Sequence, residues 1–300
     1  MSIEVKNITK KYGNQIAVNN VSFRVNAGEI VGFLGPNGAG KSTTMKIISC
    51  FNSDHSGEVL VNGNSVKKDS LKIKKQLGYL AENNPLYEEM YVKEFLLFVA
   101  RIHQLNKPQD AVNDVIQKVG LIPEKGKKIG QLSKGYQQRV GIAQAIIHDP
   151  DVLILDEPTS GLDPLQLDEI RTLIKTLGEN KTVLLSTHIM QEVESICDRI
   201  IVIKKGEIVA DQGIKDNLNH SDEEVIVVEF DQEPKEENLI AFLGQKTNIK
   251  KKGSSFMISS KENKDLRREI ASFAKEHSLL ILELKKESAK LEDLFKKLTK

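Results

Sequence analysis

The sequence predicts an α/β fold with a buried, mostly parallel sheet, and three observations lead to this prediction. The apolar run 30–34 leads into a glycine-rich loop and then into a segment with helical spacing. A second apolar run, 151–155, is followed by two acidic residues and a proline. Beyond it, strand-length apolar segments alternate with helical segments as far as residue 203, which is typical of parallel sheets.

The first part of the core is predicted to consist of short strands. Residues 2–34 contain turn residues at Tyr12-Gly13-Asn14 and at Asn26-Ala27-Gly28, which divide the segment into strand-length pieces. Residues 57–66 have the alternation and the central turn of a hairpin, and 77–80 form a further short strand. These strands precede the second apolar run and indicate an antiparallel part of the core.

A helical insertion is predicted at about 83–148. Apolar side chains recur at helical spacing from Val92 to Gln104, and Pro108 is well placed to open a second helix. The remaining predicted elements of the core are helix 136–147, strand 151–155, helix 164–177, strand 182–186, helix 189–196 and strand 199–203.

The composition becomes polar near Asn217–Asp222, which predicts a domain boundary. We therefore expect one domain at 1–217 and a small α+β domain at 222–300. The predicted elements of the second domain are strand 225–230, helix 237–243, a weaker strand at 255–259, helix 264–277, strand 279–284 and helix 290–298.

Composition excludes several classes of protein. The 300 residues carry a formal net charge of +1, which argues against an electrostatic nucleic-acid binder. No apolar run approaches the roughly 20 residues that a membrane helix needs, and residues 1–30 lack a signal peptide. Cys50 and Cys197 are expected to be buried thiols in a reducing compartment, so we expect a soluble intracellular protein.

The glycine-rich loop carries the most specific motif. Residues 35–43 fit the pattern G-x-x-x-x-G-K-[ST] of the P-loop, which binds nucleoside triphosphates. Glycines let the backbone approach the phosphates, and the following helix offers unpaired N–H groups. The predicted phosphate-binding residues are Gly35, Pro36, Asn37, Gly38, Ala39, Gly40, Lys41, Ser42, Thr43 and Thr44.

Two of these side chains have distinct expected tasks. Lys41 would place a positive charge on the β- and γ-phosphates, and the Ser42 hydroxyl would be a ligand of Mg²⁺. The alternative interpretation is a glycine turn before an ordinary core helix. The strand before the loop and the helix after it favour the nucleotide site.

A second constellation follows the run 151–155, where Asp156 and Glu157 stand at the carboxyl end of a buried strand. Asp156 can hold Mg²⁺ directly or through water, and Glu157 can polarise the water that attacks the γ-phosphate. Two acids that merely end a surface strand, with Pro158 behind them, are the alternative. The P-loop upstream favours the catalytic interpretation.

Two weaker candidates lie elsewhere in the core. His188 follows the strand 182–186, which is expected to lie beside the strand of Asp156, and would sense the γ-phosphate; a helix-capping or solvated histidine is the alternative. Residues 132–140 place Ser133 and Gly135 at a helix start, which is either a second anion site or an ordinary helix N-cap.

Five segments in this order, 35–43, 133–137, 152–158, 160–163 and His188, resemble the ATP-binding subunits of ABC transporters, and the resemblance covers about 1–215. It implies a P-loop NTPase (RecA-like) core with an antiparallel β subdomain and a helical insertion, and an ATPase that uses ATP and Mg²⁺. The implied catalytic residues are Glu157, His188 and Lys41.

The same resemblance implies further roles. Two copies would face head to tail, with ATP between the P-loop of one and Ser133, Gly135 and Asp163 of the other. Tyr12 would stack on adenine, although a half-buried strand aromatic is an equal alternative from the residues alone. The implied ligands of Mg²⁺ are Ser42, Glu82 and Asp156.

Two positions depart from the family pattern. Glu82 stands where glutamine is usual, so the side chain can accept hydrogen bonds but not donate them when ionised. Lys134 replaces the first glycine of the usual Ser-Gly-Gly-Gln, and we expect its cation near the partner's γ-phosphate or in solvent. The Glu82 departure bears on the coupling of ATP hydrolysis to transport. The Lys134 departure bears on the ATP-driven pairing of two copies.

The partner predictions also rest on the resemblance. Segments 80–87, 132–136 and 185–193 resemble the gliding-motility-associated branch, and 222–300 resembles the tail of multidrug and sodium-ion type subunits. The chain would act at the inner face of the membrane through an integral-membrane permease, and a helix of the permease would dock near 79–98. It would work as a homodimer or a heterodimer of ATP-binding subunits, and no nucleic acid is expected as a partner. A soluble ABC ATPase acting on ribosomes or DNA, and a switch that does not hydrolyse ATP, are the alternatives.

Overall fold

A computed structural model of the protein describes residues 2–214, 225–244, 247–260 and 265–287. The chain divides into two compact units between Ile214 and Lys215. The predicted polar boundary at Asn217–Asp222 and the predicted helix 290–298 lie outside the described residues. None of the described helices is both long enough and apolar enough to cross a bilayer.

The first unit combines two sheets with seven α-helices in its described residues. Its elements are β1 (Ile3–Tyr12), β2 (Gln15–Val25), β3 (Ile30–Leu34), α1 (Lys41–Ile48), β4 (Ser56–Val61), β5 (Asn64–Ser65), α2 (Ser70–Gln76), β6 (Leu77–Leu80), α3 (Val92–Ile102), α4 (Pro108–Lys118), α5 (Lys134–Ile146), β7 (Val152–Asp156), α6 (Pro164–Gly178), β8 (Thr182–Thr187), α7 (Met190–Ile196), β9 (Arg199–Lys204) and β10 (Glu207–Gly213).

The central sheet has the order β10-β9-β3-β8-β7-β6, and all neighbours are parallel except β10 on β9. Strands β3 and β7 are buried along their whole length, which explains their continuous apolar sequences. In the register, Leu34 pairs with Thr187 and Asp156 pairs with Ser186. The carboxyl ends of β3, β8 and β7 therefore meet at one edge, where ligands bind in such sheets.

The second sheet of this unit is antiparallel, with the order β2-β1-β4-β5. Apolar residues of this sheet form one core with α1 and one side of the central sheet, and Phe23 meets Phe33 with ring centroids 5.3 Å apart. A separate core joins the helices α3 to α6 to the central sheet. The predicted fold class, with its antiparallel subdomain and helical insertion, is confirmed.

The structure differs from the predicted elements at several element ends, and helix α2 and strand β10 of the first unit were not predicted. Helix α1 begins at Lys41, inside the motif 35–43, so the last residues of the loop motif form the first turn of the helix. Strand β10 was not predicted, since it alternates exposed and partly buried residues as an edge strand. Cys50 and Cys197 are free thiols just beyond the ends of α1 and α7, and both are partly buried rather than fully buried as predicted.

The second unit has a βαββαβ chain order. Its described elements are β11 (Val225–Phe230), α8 (Glu236–Leu243), β12 (Thr247–Lys252), β13 (Ser255–Ser260), α9 (Arg267–Glu276) and β14 (Ile281–Glu287). The antiparallel sheet has the order β12-β13-β11-β14, and the core includes Val228, Phe256 and Phe273. Strand β12 was not predicted because its sequence, Thr-Asn-Ile-Lys-Lys-Lys, is almost entirely polar.

The contact between β6 and α5 fixes where the helical insertion meets the sheet, and Gly78 makes it possible. A Cβ atom at Gly78 would lie 2.1 Å from the Ala145 carbonyl oxygen and 2.7 Å from Leu153 Cδ2. Since the obstacle includes backbone, we expect Gly78→Ala to lower the free energy of unfolding by about 2 kcal/mol or more.

Urea unfolding followed by tyrosine fluorescence measures this change, because all five tyrosines lie in the first unit and tryptophan is absent. The matched control is Gly126→Ala, where an added Cβ meets nothing within 4 Å. Equal midpoints for the two variants would contradict this account of the β6–α5 contact.

Candidate active site

The loop between β3 and α1 folds into a compact cradle. Gly38 and Gly40 have φ angles of 78° and 108°, in the region that favours glycine. A Cβ atom at Gly40 would also lie 2.5 Å from the Ala17 carbonyl oxygen. No side chain caps α1, so its first N–H groups are free to bind an anion.

Lys41 holds a buried cation in this cradle. Its side chain is 5% exposed, and Nζ donates to the Gly35 carbonyl oxygen at 2.7 Å and lies 3.2 Å from Glu157 Oε1. Burying an ammonium group is costly unless it is paired, and these contacts provide the pairing. The arrangement keeps a positive charge within reach of any phosphate bound to the loop.

Asp156 is the last residue of β7 and is 1% exposed. Its Oδ1 accepts hydrogen bonds from Ser186 Oγ at 2.5 Å and from Ser42 Oγ at 3.1 Å. Burial raises the pKa of Asp156, and the charge of Glu157 raises it further, while the two hydroxyl groups and Lys41 act in the opposite direction. A hydroxyl and a carboxylate side by side are oxygen ligands that suit Mg²⁺.

Glu157 adopts a strained backbone conformation beside Asp156. Its φ is 49°, a left-handed value that costs a residue with a side chain about 1–2 kcal/mol. The backbone N–H donates to Ser186 Oγ at 3.0 Å, and Oε2 lies 2.9 Å from His188 Nδ1. Glu157 is 6% exposed and lines the cavity described next, so its carboxylate can accept a proton from a water there.

A cavity of about 460 Å³ brings half of the predicted site residues together. The cavity lies between the loop after β3 and the turn that joins β1 to β2. Glu82, in the segment after β6, also lines it. The lining residues are Tyr12, Gln15, Ala17, Asn37, Gly38, Gly40, Lys41, Ser42, Thr43, Glu82 and Glu157.

Tyr12 is held at the edge of this cavity by two polar side chains. Its hydroxyl accepts a hydrogen bond from Asn52 Nδ2 at 2.9 Å, and Lys10 Nζ lies 4.9 Å from the ring centroid. Lys10 is itself buried and paired with Asp54 at 2.8 Å. The ring is 50% exposed, which leaves surface for a planar ligand.

Nine of the eighteen predicted site residues do not line the cavity. Six of them belong to the loop and the start of α1 or lie at the strand ends beside it, namely Gly35, Pro36, Ala39, Thr44, Asp156 and His188. The other three lie at the starts of α5 and α6. Ser133 Oγ accepts the Tyr136 N–H at 3.5 Å as the N-cap of α5, and Asp163 accepts the Gln166 N–H at 2.9 Å as the N-cap of α6. Gly135 is buried against the Gln166 side chain. Within one chain these residues therefore cap and pack helices.

Lys134 is exposed, and the end of its side chain lies beside Gly161. A Cβ atom on Gly161 would lie 2.0 Å from Lys134 Nζ, so the ammonium group covers Gly161 of the same chain. Its position near a partner's phosphate stays a prediction. The contact links the start of α5 to the segment between β7 and α6.

Sequence reasoning missed Ser186 and Gln15. Ser186 is fully buried and bonds both Asp156 and the Glu157 N–H, while Gln15 lines the cavity. The signal for Ser186 was present, since it is a hydroxyl at the end of an apolar strand just before His188. Gln15 had no signal, because an exposed residue at a strand start is unremarkable in sequence.

A second, largely apolar groove of about 420 Å³ lies on the first unit between α2, α3 and the end of α5. Leu71, Phe51 and Ile102 line it with 78%, 69% and 61% of their surfaces exposed. Of the predicted docking segment 79–98 only Tyr79 lines this groove, whereas 81–85 line an adjoining cavity that also contains Ser42 and Asp156.

A stacked histidine pair closes one end of this groove. The rings of His103 and His148 lie 3.9 Å apart and almost parallel, and His148 Nε2 donates to the Leu77 carbonyl oxygen at 3.3 Å. Burial lowers the pKa of His148 to about 4, and the neighbouring His103 adds to this effect. Both rings are therefore neutral when they stack at neutral pH.

Comparison with known proteins gives one consistent result. The family model described as ABC transporter matches residues 18–160. The uncharacterized ABC transporter ATP-binding protein YhcH of Bacillus subtilis is 38% identical over 73% of both chains. The bacitracin transport ATP-binding protein BcrA of Bacillus licheniformis is 38% identical over 69% of this chain and 68% of its own length.

Solved structures of ATP-binding cassettes are similar to this chain in fold. The ATP-binding cassette MJ0796, determined as a dimer in a post-hydrolysis state bound to ADP and Pi, superposes with a TM-score of 0.66 and 28% identity. The match covers 71% of this chain and 98% of the cassette. Almost the whole of that cassette therefore has a counterpart here.

The histidine pair generates a prediction about pH. The pKa of His148 in the folded state lies below its ordinary value of 6.5, so between pH 6.5 and 4 the unfolded chain takes up a proton that the folded chain does not. The contribution of His148 therefore lowers the free energy of unfolding as the pH falls through this window. His148→Gln should reduce that loss.

Urea midpoints of both proteins at pH 7.5 and 5 test this, and only the difference between the two pH values is compared. Any stacking lost in the variant affects both pH values alike and cancels. A fall in midpoint that is the same in the variant and the wild type would contradict the assignment.

Proposed function

Because the chain belongs to the family of ABC transporter ATP-binding proteins, we propose that it hydrolyses Mg-ATP as half of a dimer and thereby drives a separate membrane permease. Its ATPase activity follows from the family. The proposal concerns the role of each residue in hydrolysis, the composition of the dimer and the cargo of the transporter.

One observation carries the proposal, namely the convergence of Lys41, Ser42, Asp156 and Glu157 at the edge where β3 and β7 end. The loop N–H groups and Lys41 would bind the β- and γ-phosphates. Ser42 and Asp156 would hold Mg²⁺, with Glu82 beside it, and the ion would neutralise charge on the phosphates.

Glu157 would act on the attacking water. Its carboxylate accepts the proton as the water attacks the γ-phosphate, and the contact with His188 Nδ1 at 2.9 Å fixes its orientation. We assign to His188 a hydrogen bond to the γ-phosphate in addition. Tyr12, already held by Asn52 and Lys10, would stack on adenine.

A second copy would complete the site. Ser133, Gly135 and Asp163 lie outside the cavity of their own chain, which supports a role toward a neighbouring nucleotide. The N-terminus of α5 carries Ser133 and Lys134, so it can approach a phosphate with N–H groups and a cation. The similar cassette bound to ADP and Pi is a dimer. The partner would be either a second copy of this chain, which gives a homodimer, or a homologous ATP-binding subunit, which gives a heterodimer.

The groove with Leu71, Phe51 and Ile102 is our proposed docking site for the permease. Three exposed apolar side chains in one groove suit the apolar face of a short helix, and Lys74 and Lys75 on the wall suit acidic residues in it. Docking there would place the chain at the inner face of the membrane.

The cargo proposal is coarser. Relatives are named for bacitracin transport and for linearmycin resistance, which supports an exporter. The gliding-motility branch stays a prediction from segments 80–87, 132–136 and 185–193. The cassette match over 71% of the chain supports a nucleotide domain at 1–217 and an accessory domain at 222–300.

Glu157→Gln tests the hydrolytic assignment. Glutamine keeps the shape but cannot take the proton, so we expect turnover to fall about 100-fold or more while ATP binding persists. The variant should form a lasting dimer in Mg-ATP. Phosphate release and light scattering during size exclusion measure both effects, with the exposed Glu179→Gln as the matched control. Undiminished turnover, or a variant that stays monomeric in Mg-ATP, would refute the assignment.

Leu71→Asp tests the docking site. The charge enters an exposed apolar position, so we expect co-purification with a co-expressed permease subunit to fall about tenfold, a loss of about 1.4 kcal/mol. Ile122→Asp, another exposed apolar position outside the groove, should leave co-purification unchanged. Equal losses in the two variants would argue against docking at this groove.

A further inference from the structure

Glu192 is a buried carboxylate that none of the roles above uses. It lies in α7 and is 1% exposed. Its Oε1 accepts a hydrogen bond from Thr159 Oγ1 and its Oε2 accepts one from Thr187 Oγ1, both at 2.5 Å. Within residues 2–214, 225–244, 247–260 and 265–287, no lysine, arginine or histidine forms an ion pair with it.

The two hydroxyl groups are committed to this carboxylate. Thr159 and Thr187 are themselves 3% and 0% exposed, so water does not compete for them. Thr187 Oγ1 also accepts the Ile189 N–H at 3.0 Å, and since a hydroxyl carries one proton, that proton goes to Glu192. A carboxylate has the two acceptor oxygens that this arrangement requires.

The two threonines stand next to the catalytic residues. Thr159 follows Glu157 by two positions, and Thr187 directly precedes His188. The paired register of β7 and β8 ends at Asp156 and Ser186, and the Glu157 N–H still bonds Ser186. Glu192 then ties the two chain segments together just beyond the last of these bonds.

We propose that Glu192 is a positioning residue for hydrolysis, which holds Glu157 and His188 at their mutual distance through Thr159 and Thr187. The inference rests on the proposed function, because Glu157 and His188 act as catalytic groups only there. The left-handed φ of Glu157 supports it, since a strained residue persists only where its surroundings hold it firmly. A displacement of about 1 Å at such a residue can lower a rate about 100-fold.

A solely structural role would give different results. It would lower stability and nucleotide affinity together with turnover. The positioning role acts on groups that contact the attacking water, so turnover falls while the KM for ATP stays close to that of the wild type. It also requires the hydroxyl groups of the threonines rather than their methyl groups.

The experiment compares steady-state hydrolysis of Mg-ATP by full-length variants. We expect Glu192→Gln to lower kcat about tenfold or more and to change KM less than about threefold. Thr187→Val keeps the shape and removes the donor, so it should lower kcat about tenfold, whereas Thr187→Ser keeps the donor and should lose less than Thr187→Val. Thr159→Val and Thr159→Ser should follow the same pattern.

Glu194→Gln, at an exposed glutamate of the same helix, is the matched control and should keep the wild-type kcat. Combining Glu192→Gln with Thr187→Val should cost little more than either change alone, because both remove one contact. Equal losses for the valine and serine variants would overturn the proposal. So would a loss in Glu192→Gln that appears in KM or in the urea midpoint instead of kcat.

The outcome can be separated from that of the proposed function. If Glu157→Gln still turns over, the hydrolytic assignment fails and the positioning role fails with it. If Glu157→Gln is inactive while Glu192→Gln has the kcat of the wild type, only the positioning role fails.

Discussion

The hydrogen-bonded register of β3, β8 and β7 is the constraint on which the site depends. It aligns Leu34 with Thr187 and Asp156 with Ser186, so three strands end at one edge of the sheet. The groups proposed to contact the phosphates, Mg²⁺ or the attacking water within one chain follow one of these strand ends, apart from Glu82. A change of register by one residue would turn the side chains of the moved strand to the opposite face.

Four ionisable side chains are buried at or near this edge, and their burial costs the fold free energy. Lys41, Asp156, Glu157 and Glu192 are all buried, and the raised pKa of Asp156 shows that burial opposes its charge. Each is tolerated because a hydroxyl, a carbonyl or an opposite charge lies beside it. The apolar cores on both sides of the sheet offset the free-energy cost of burying these groups.

The sequence predicts most of the core because buried parallel strands are continuous apolar runs. Strands β10 and β12 escaped prediction since both are edge strands with largely polar or half-exposed residues. The P-loop, Asp156 and Glu157 could be predicted because adjacent residues carry the motif. The contacts of Ser186 with Asp156 and of Glu192 with Thr159 could not, because these partners are 30 and 33 residues apart and only the strand register brings them together.

The two departures from the family pattern now have physical surroundings. Glu82 lines the same cavity as Glu157. Burial raises the pKa of Tyr79, and the charges of Asp156 and Glu82 raise it further. Lys41 is the only lysine or arginine among the described residues that line this cavity, so a bound triphosphate would meet two carboxylates and one ammonium group. A divalent cation offsets that excess of negative charge, and a carboxylate at position 82 makes the demand for it stronger than an amide would. Lys134 adds no charge to the cavity of its own chain, because it covers Gly161.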